Sequence, residues 1–126
     1  MDTLTDFFMT EAEILTALAH PTRLEILELL REGELCVCHI QAVLDQRQAY
    51  VSQQLNTLRQ AGLVSRRKDG KRVYYRVSDA RIFEVTDSLK GFLRAQKKRK
   101  ISIPEKVEAS APKQPCNCPR CVSTPA

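Results

Sequence analysis

The chain has 126 residues, 43 % of them hydrophobic, and a net charge of +5. That length allows one domain with a modest core, and no apolar run approaches a membrane span or a leader peptide, so no membrane partner is expected and the protein is read as cytoplasmic. Six basic side chains between Val64 and Val77 (Arg66, Arg67, Lys68, Lys71, Arg72, Arg76) face Asp69 alone and account for the whole net charge, which favours a defined docking surface for a polyanion over a diffuse polycation.

Leu4 to Ala19 reads as a helix, with Phe7, Phe8, Ile14, Leu15 and Leu18 as its apolar residues. His20-Pro21 marks a boundary, because proline suits the first turn of a new helix. A lone histidine there is read as a cap or structural residue rather than a ligand. Leu24, Ile26, Leu27, Leu29 and Leu30 make the second helix apolar almost all round and hence central, and Glu32-Gly33 ends it.

Cys36 and Cys38 follow, a thiol pair of the kind soft metals select. A short helix is expected to begin at one of them and end near Asp45, with Ile40, Val43 and Leu44 facing inward. In a regular helix the i, i+2 spacing would point the two sulfurs apart, so a chelate needs the first turn to be open. Gln48 to Ala61 is the next helix, with Val51, Leu55 and Leu58 inward and Gly62 as a left-handed cap. Its expected outer face is Gln48, Tyr50, Ser52, Gln53, Gln54, Asn56 and Arg59. A short helix, a tight turn and an amide-rich helix form the helix-turn-helix pattern, and a DNA major groove accepts such a face.

Leu63 to Val77 reads as a hairpin with its turn at Asp69-Gly70. Val73, Tyr75 and Val77 alternate with Arg72, Tyr74 and Arg76, one face buried and one cationic. A basic hairpin after a recognition helix is a wing, whose Lys68, Lys71 and Arg72 would lie along phosphates or enter a minor groove. Asp79 is expected to cap a last helix, Ala80 to Gln96. Its stripe of Ile82, Val85, Leu89 and Phe92, widened by Phe83 and Leu93, suits a subunit interface or an intramolecular contact. Residues 1–96 are thus read as one domain.

From Lys97 the composition changes to a charge run and then to five of the six prolines, which reads as a disordered tail over 97–126. It carries Cys116, Cys118 and Cys121. Five clustered cysteines in a reducing compartment point to metal or redox chemistry, not to a disulfide framework. A thiol enzyme is not expected. The only Cys-x-x-Cys, Cys118 to Cys121, lies in the tail, and no His–carboxylate constellation accompanies a nucleophile.

With these segments in place, the chain resembles the ArsR/SmtB family of winged-helix metal-sensing repressors. LAHPTRLEILELL resembles its second-helix signature, ELCVCHI its thiolate motif, QAYVSQQLNTLRQAGLV its recognition helix and RRKDGKRVYYRV its wing. The resemblance implies a mainly α winged helix-turn-helix, α-α-α-α-β-β-α. It also implies a homodimer joined by the first and last helices, bound to operator DNA of a resistance operon and released by metal. By resemblance Cys36 and Cys38 are the inducer ligands, and Gln48, Tyr50, Ser52, Gln53 and Gln54 are the base-reading candidates. His39 and Gln41 depart from the Asp and third Cys of many arsenic sensors, and no His follows His39, so the family's carboxylate–histidine zinc site looks absent.

As(III) or Sb(III) suits three thiolates, two of them from Cys36 and Cys38. The tail can bring the third, since a tether of roughly 20 residues spans about 25 Å as a coil; alternatively Cys116, Cys118 and Cys121 hold a separate site. Cd(II) or Pb(II) on four thiolates competes with arsenic, and Zn(II) using His39 is a further option. A redox-responsive regulator, with Cys36 or Cys38 bonded to a tail cysteine, is the alternative of a different class.

Overall fold

The computed structural model describes residues 2–96. Asp2 opens helix α1 (Thr3–Leu18) by accepting the Leu4 N–H. Only Ala17 and Leu18, at its end, are buried. His20 caps α2 (Pro21–Leu29), its Nδ1 accepting the Thr22 N–H at 3.2 Å, with Pro21 in the first turn where no donor is needed. That is the capping role expected of a lone histidine. Helix α2 tightens into a 3-10 turn over Leu30–Glu32 and ends at Gly33, whose φ of 137° suits glycine.

Strand β1 (Leu35–Cys36) leads into α3 (Val37–Leu44), and Asp45 closes α3 in the left-handed conformation, φ 53°. Asp is one of the few non-glycine residues that tolerates it. After a three-residue turn comes α4 (Gln48–Gln60). Gly62, with φ 78°, ends α4 as expected: the Leu63 N–H reaches back to the Leu58 carbonyl at 3.0 Å. The wing is β2 (Val64–Asp69) and β3 (Arg72–Val77), paired antiparallel. Its two loop residues are Gly70, with φ 60°, and Lys71. Glycine at the first loop position fits a II′ turn, so the turn sits one residue later than the Asp-Gly signal suggests.

The sheet has three strands in the order β1-β3-β2, not the two expected. Leu35 pairs with Tyr75 and Cys36 with Tyr74. A two-residue strand has no period to read, and only its partner some forty residues later defines it.

The core lies where α2, α3 and α4 meet, with Ile26, Leu27, Ile40, Val51, Leu55 and Leu58 fully buried. Helix α5 (Ile82–Ala95) starts two residues later than expected. Asp79 caps the turn before it, accepting the Arg81 N–H, and hydrogen bonds from Arg81 hold the Asp79 carboxyl down at about 2. The single stripe expected on α5 is divided. Phe83 and Thr86 are buried against the domain, while Val85, Leu89 and Phe92 face outward. Among the described residues, no helix is long and apolar enough to cross a membrane.

An ion cluster ties α5 to α2. Arg31 bridges Glu28 and Asp87 at 3.0 and 2.7 Å, Lys90 contacts Glu28 and Asp87, and the Arg31 guanidinium lies 4.3 Å from the Phe83 ring centre. Burial raises the Glu28 carboxyl, but hydrogen bonds from Arg31 and Lys90 more than reverse this; Arg31 likewise lowers Asp87. A depressed folded-state carboxyl stabilises the fold above its ordinary range, and the contribution is lost as pH falls through the lowered value. Thermal unfolding of Glu28→Gln should therefore show a loss of about 1–2 kcal/mol near neutral pH that shrinks below pH ~4, where wild type loses the same contribution. An equal deficit at every pH would deny the cluster its role.

Candidate nucleic-acid interface and thiol site

Helix α4 is held from below by Val51, Leu55 and Leu58, all at 0 % exposure, which turns the opposite side outward. Gln48, Gln53 and Asn56 are exposed and Ser52 half-buried, as a reading face allows. Asn56 Oδ1 accepts from Arg59 at 3.2 Å, and Arg59 is half-buried rather than outward. Tyr50 is half-buried too, its hydroxyl 2.9 Å from that of Thr22 on α2.

Gln54 corrects the expected reading face. It is 7 % exposed, and its Oε1 accepts from Arg23 Nη1 at 2.9 Å. Arg23 also donates from Nε to the Ala17 carbonyl at 2.6 Å and from Nη2 to that of Thr16 at 3.2 Å. One guanidinium thus closes the end of α1 and fixes α4 against α2. The apolar pattern left Gln54 among the polar positions, but a polar residue is buried when a partner waits for it. Arg23 is the one cation of α2, a local sign that it has a partner, but its partner Gln54 lies thirty-one residues away. Gln54→Ala should destabilise the domain by about 1–3 kcal/mol. It should also weaken binding to operator and to unrelated DNA alike; a change confined to one base position would return Gln54 to the reading face.

On the wing, Lys68 and Lys71 are exposed at the tip, where phosphates would meet them. Arg72 also borders the loop, but its side chain does not stand out into solvent as theirs do. It pairs with Asp69 at the base of the turn, is half-buried, and places Nη1 4.0 Å from Cys38 Sγ. Arg67, also on the wing, is held by acidic partners, with Nη1 3.6 Å from Asp69 Oδ2. Its guanidinium grips Glu34 with contacts of 2.6 to 3.2 Å and covers Tyr74 at 4.6 Å from the ring centre. This hydrogen-bonded Arg67 holds the Glu34 carboxyl below its usual range, so the pair stays ionised at neutral pH. Nothing in the sequence joins Glu34 to Arg67, since the two are 33 residues apart.

The thiol pair occupies the junction of wing and helix-turn-helix. Cys36 ends β1 and is the N-cap of α3 in extended backbone (φ −76°, ψ 153°), so only Cys38 belongs to the helix. This is the open first turn that convergence of the two sulfurs requires. They form a disulfide, with Cα atoms 5.3 Å apart. Cys36 Sγ also accepts the His39 N–H at 3.3 Å. Cys36 is 2 % exposed and Cys38 half-buried. Among the described residues, no group of three or more His, Cys, Asp or Glu side chains converges on a cation. Cys116, Cys118 and Cys121 lie outside the described residues.

Sequence comparison matches residues 20–66 to the family model described as bacterial regulatory protein, arsR family. The chain is 40 % identical over 78 residues to a biofilm growth-associated repressor of Agrobacterium fabrum, covering 62 % of this chain and 67 % of that protein. It is 47 % identical over 72 residues to the arsenical resistance operon repressor of Escherichia coli K12, covering 56 % and 62 %. Among solved structures it is similar to the homodimeric winged helix-turn-helix DNA-binding domain of a possible ArsR-family regulator from Mycobacterium bovis. There the TM-score is 0.70 at 26 % identity, over 82 % of this chain and 96 % of that one.

Proposed function

The chain belongs to the ArsR/SmtB family of winged helix-turn-helix transcriptional repressors, and we propose that it binds operator DNA as a homodimer and is released when As(III) or Sb(III) engages Cys36 and Cys38. The observation that carries this reading is the position of the sulfurs. They sit where β1, the third strand of the wing sheet, becomes α3, the helix before the reading helix. A change of geometry there acts on both DNA-contacting elements.

The donor set fits a soft ion in part. Once reduced, two converging sulfurs at an open helix end supply two thiolates. The third falls to Cys116, Cys118 or Cys121 of the same or the partner subunit. A pyramidal As(III) or Sb(III) needs three thiolates, whereas Cd(II) or Pb(II) needs a fourth. Dimerisation through α1 and α5 is supported by the outward Phe7, Phe8, Leu15, Val85, Leu89 and Phe92, each about half-exposed or more. In such a dimer the two α4 helices would meet successive major grooves about 34–36 Å apart.

The test is operator affinity with and without arsenite, cadmium, lead and zinc, on wild type and Cys36→Ser. Arsenite should lower wild-type affinity by a factor of about 5–150, the usual range of such coupling, and leave Cys36→Ser unmoved. A wild-type dimer indifferent to all four ions would end the metalloid reading. The redox reading has one observation in its favour, the Cys36–Cys38 disulfide. It pairs the two cysteines with each other instead of with the tail. A reversible two-electron change in operator affinity without metal would support it, and arsenite-induced charge-transfer absorption would support the metalloid.

A further inference from the structure

The two sulfurs of the pair are not equivalent. Cys36 is almost wholly buried, on a strand hydrogen-bonded to β3, and its Sγ already accepts the His39 N–H. Cys38 is in the first turn of α3, half-buried, with the Arg72 guanidinium 4.0 Å from its sulfur. We propose that Cys38 is the sulfur at which a low-molecular-weight thiol opens the oxidised pair, and that Cys36 is the leaving group. The proposal rests on the reading of this pair as the sensing site and specifies the chemistry that resets it.

Exchange requires a thiolate to reach one sulfur in line with the bond that breaks. Burial closes that approach at Cys36. Cys38 is the less buried of the two, and Arg72 beside it offers a cation to the incoming anion. The new bond joins the small thiol's sulfur to Cys38 Sγ, and the electron pair of the old bond passes to Cys36 Sγ, which leaves as a thiolate. The His39 N–H and the N-terminal end of α3 favour negative charge at that position. A second small thiolate then attacks its own kind in the mixed disulfide. It releases the oxidised small disulfide and leaves Cys38 as a thiolate, which takes a proton from water. In total two thiols are oxidised to one disulfide and the pair is reduced. Cys36 attacking the mixed disulfide would reverse the first step, so the adduct is brief.

The experiment uses the full chain, oxidised with diamide, mixed anaerobically with glutathione, acid-quenched within seconds and blocked with N-ethylmaleimide. Cys36 and Cys38 share the tryptic peptide 32–47, on which fragmentation localises each modification and keeps it apart from the tail cysteines. The expected result is glutathione on Cys38 and maleimide on Cys36 in a ratio of at least about ten to one, the effect of a ~1.4 kcal/mol preference. Glutathione mainly on Cys36, or evenly shared, overturns the proposal, as does a diamide-treated protein in which both thiols remain titratable. None of these readouts involves DNA. A repressor that ignores arsenite can still show ordered exchange, and one that responds to it can fail to, so the two readings fail separately.

Discussion

Replacing Leu89 and Phe92 together by aspartate should leave a folded monomer that has lost most of its hold on the operator. In the protomer these side chains are 51 % and 59 % exposed, so the domain core does not need them. The inward side of α5, with Phe83 and Thr86, and the ion cluster at Glu28, Arg31, Asp87 and Lys90 are untouched. In a two-fold interface each change occurs twice, and each large apolar side chain buried there is worth about 1.5–3 kcal/mol. An aspartate at the same spot must also shed its hydration to enter the interface, a penalty on top of the missing apolar burial. Sedimentation velocity should show a single-chain species with an unchanged helical spectrum. Operator affinity should fall by about a hundredfold or more, because two half-sites are no longer read by one particle. A variant that stays dimeric would place the subunit contact elsewhere and leave the outward face of α5 unexplained.

Glu34→Gln should separate occupancy of the thiol site from release of DNA. Arg67 reaches from β2 across Tyr74 of β3 to Glu34, which directly precedes β1. Tyr74 is in turn the register partner of Cys36. The clasp therefore fastens the strand that carries the first sulfur to the far strand of the wing. Without the carboxylate, movement at the sulfurs should no longer be transmitted to Lys68 and Lys71. Arsenite should still bind within a few-fold of wild type. The ratio of operator affinities without and with arsenite should drop from about 5–150 to within about twofold of unity. Taking the ratio on one protein cancels any new phosphate contact made by the released Arg67. An undiminished ratio would route the coupling through the turn at Asp45 to Arg47 instead.

The elements that could be read from the chain are those built from local signals. Val51, Leu55 and Leu58 recur at helical spacing and are the fully buried side of α4. Gly62 stops that helix because few other residues adopt its φ, and His20-Pro21 starts α2 because the first turn lacks acceptors for its donors. The alternation around Asp69-Gly70 marked the wing within one residue. The family-like order of segments placed thiols, reading helix and wing on consecutive elements, and the fold bears that order out.

Partners distant in sequence account for what stayed hidden. Gln54 looks like its exposed neighbours until Arg23, thirty-one residues earlier, is folded beside it. Val85, Leu89 and Phe92 fit a core stripe as well as Phe83 does, and only the direction in which α5 docks divides them. Leu35-Cys36 carries no strand signal, because two residues become a strand only when β3 offers its edge. Arg72 belongs to a basic run whose members are interchangeable by composition, yet the register of the hairpin brings this one to Cys38. Composition and periodicity determine which faces are apolar and where helices begin and end, since those depend on neighbours within a turn or two. Which polar group meets which depends on packing across the whole domain. That packing alone joins the cysteines to the wing.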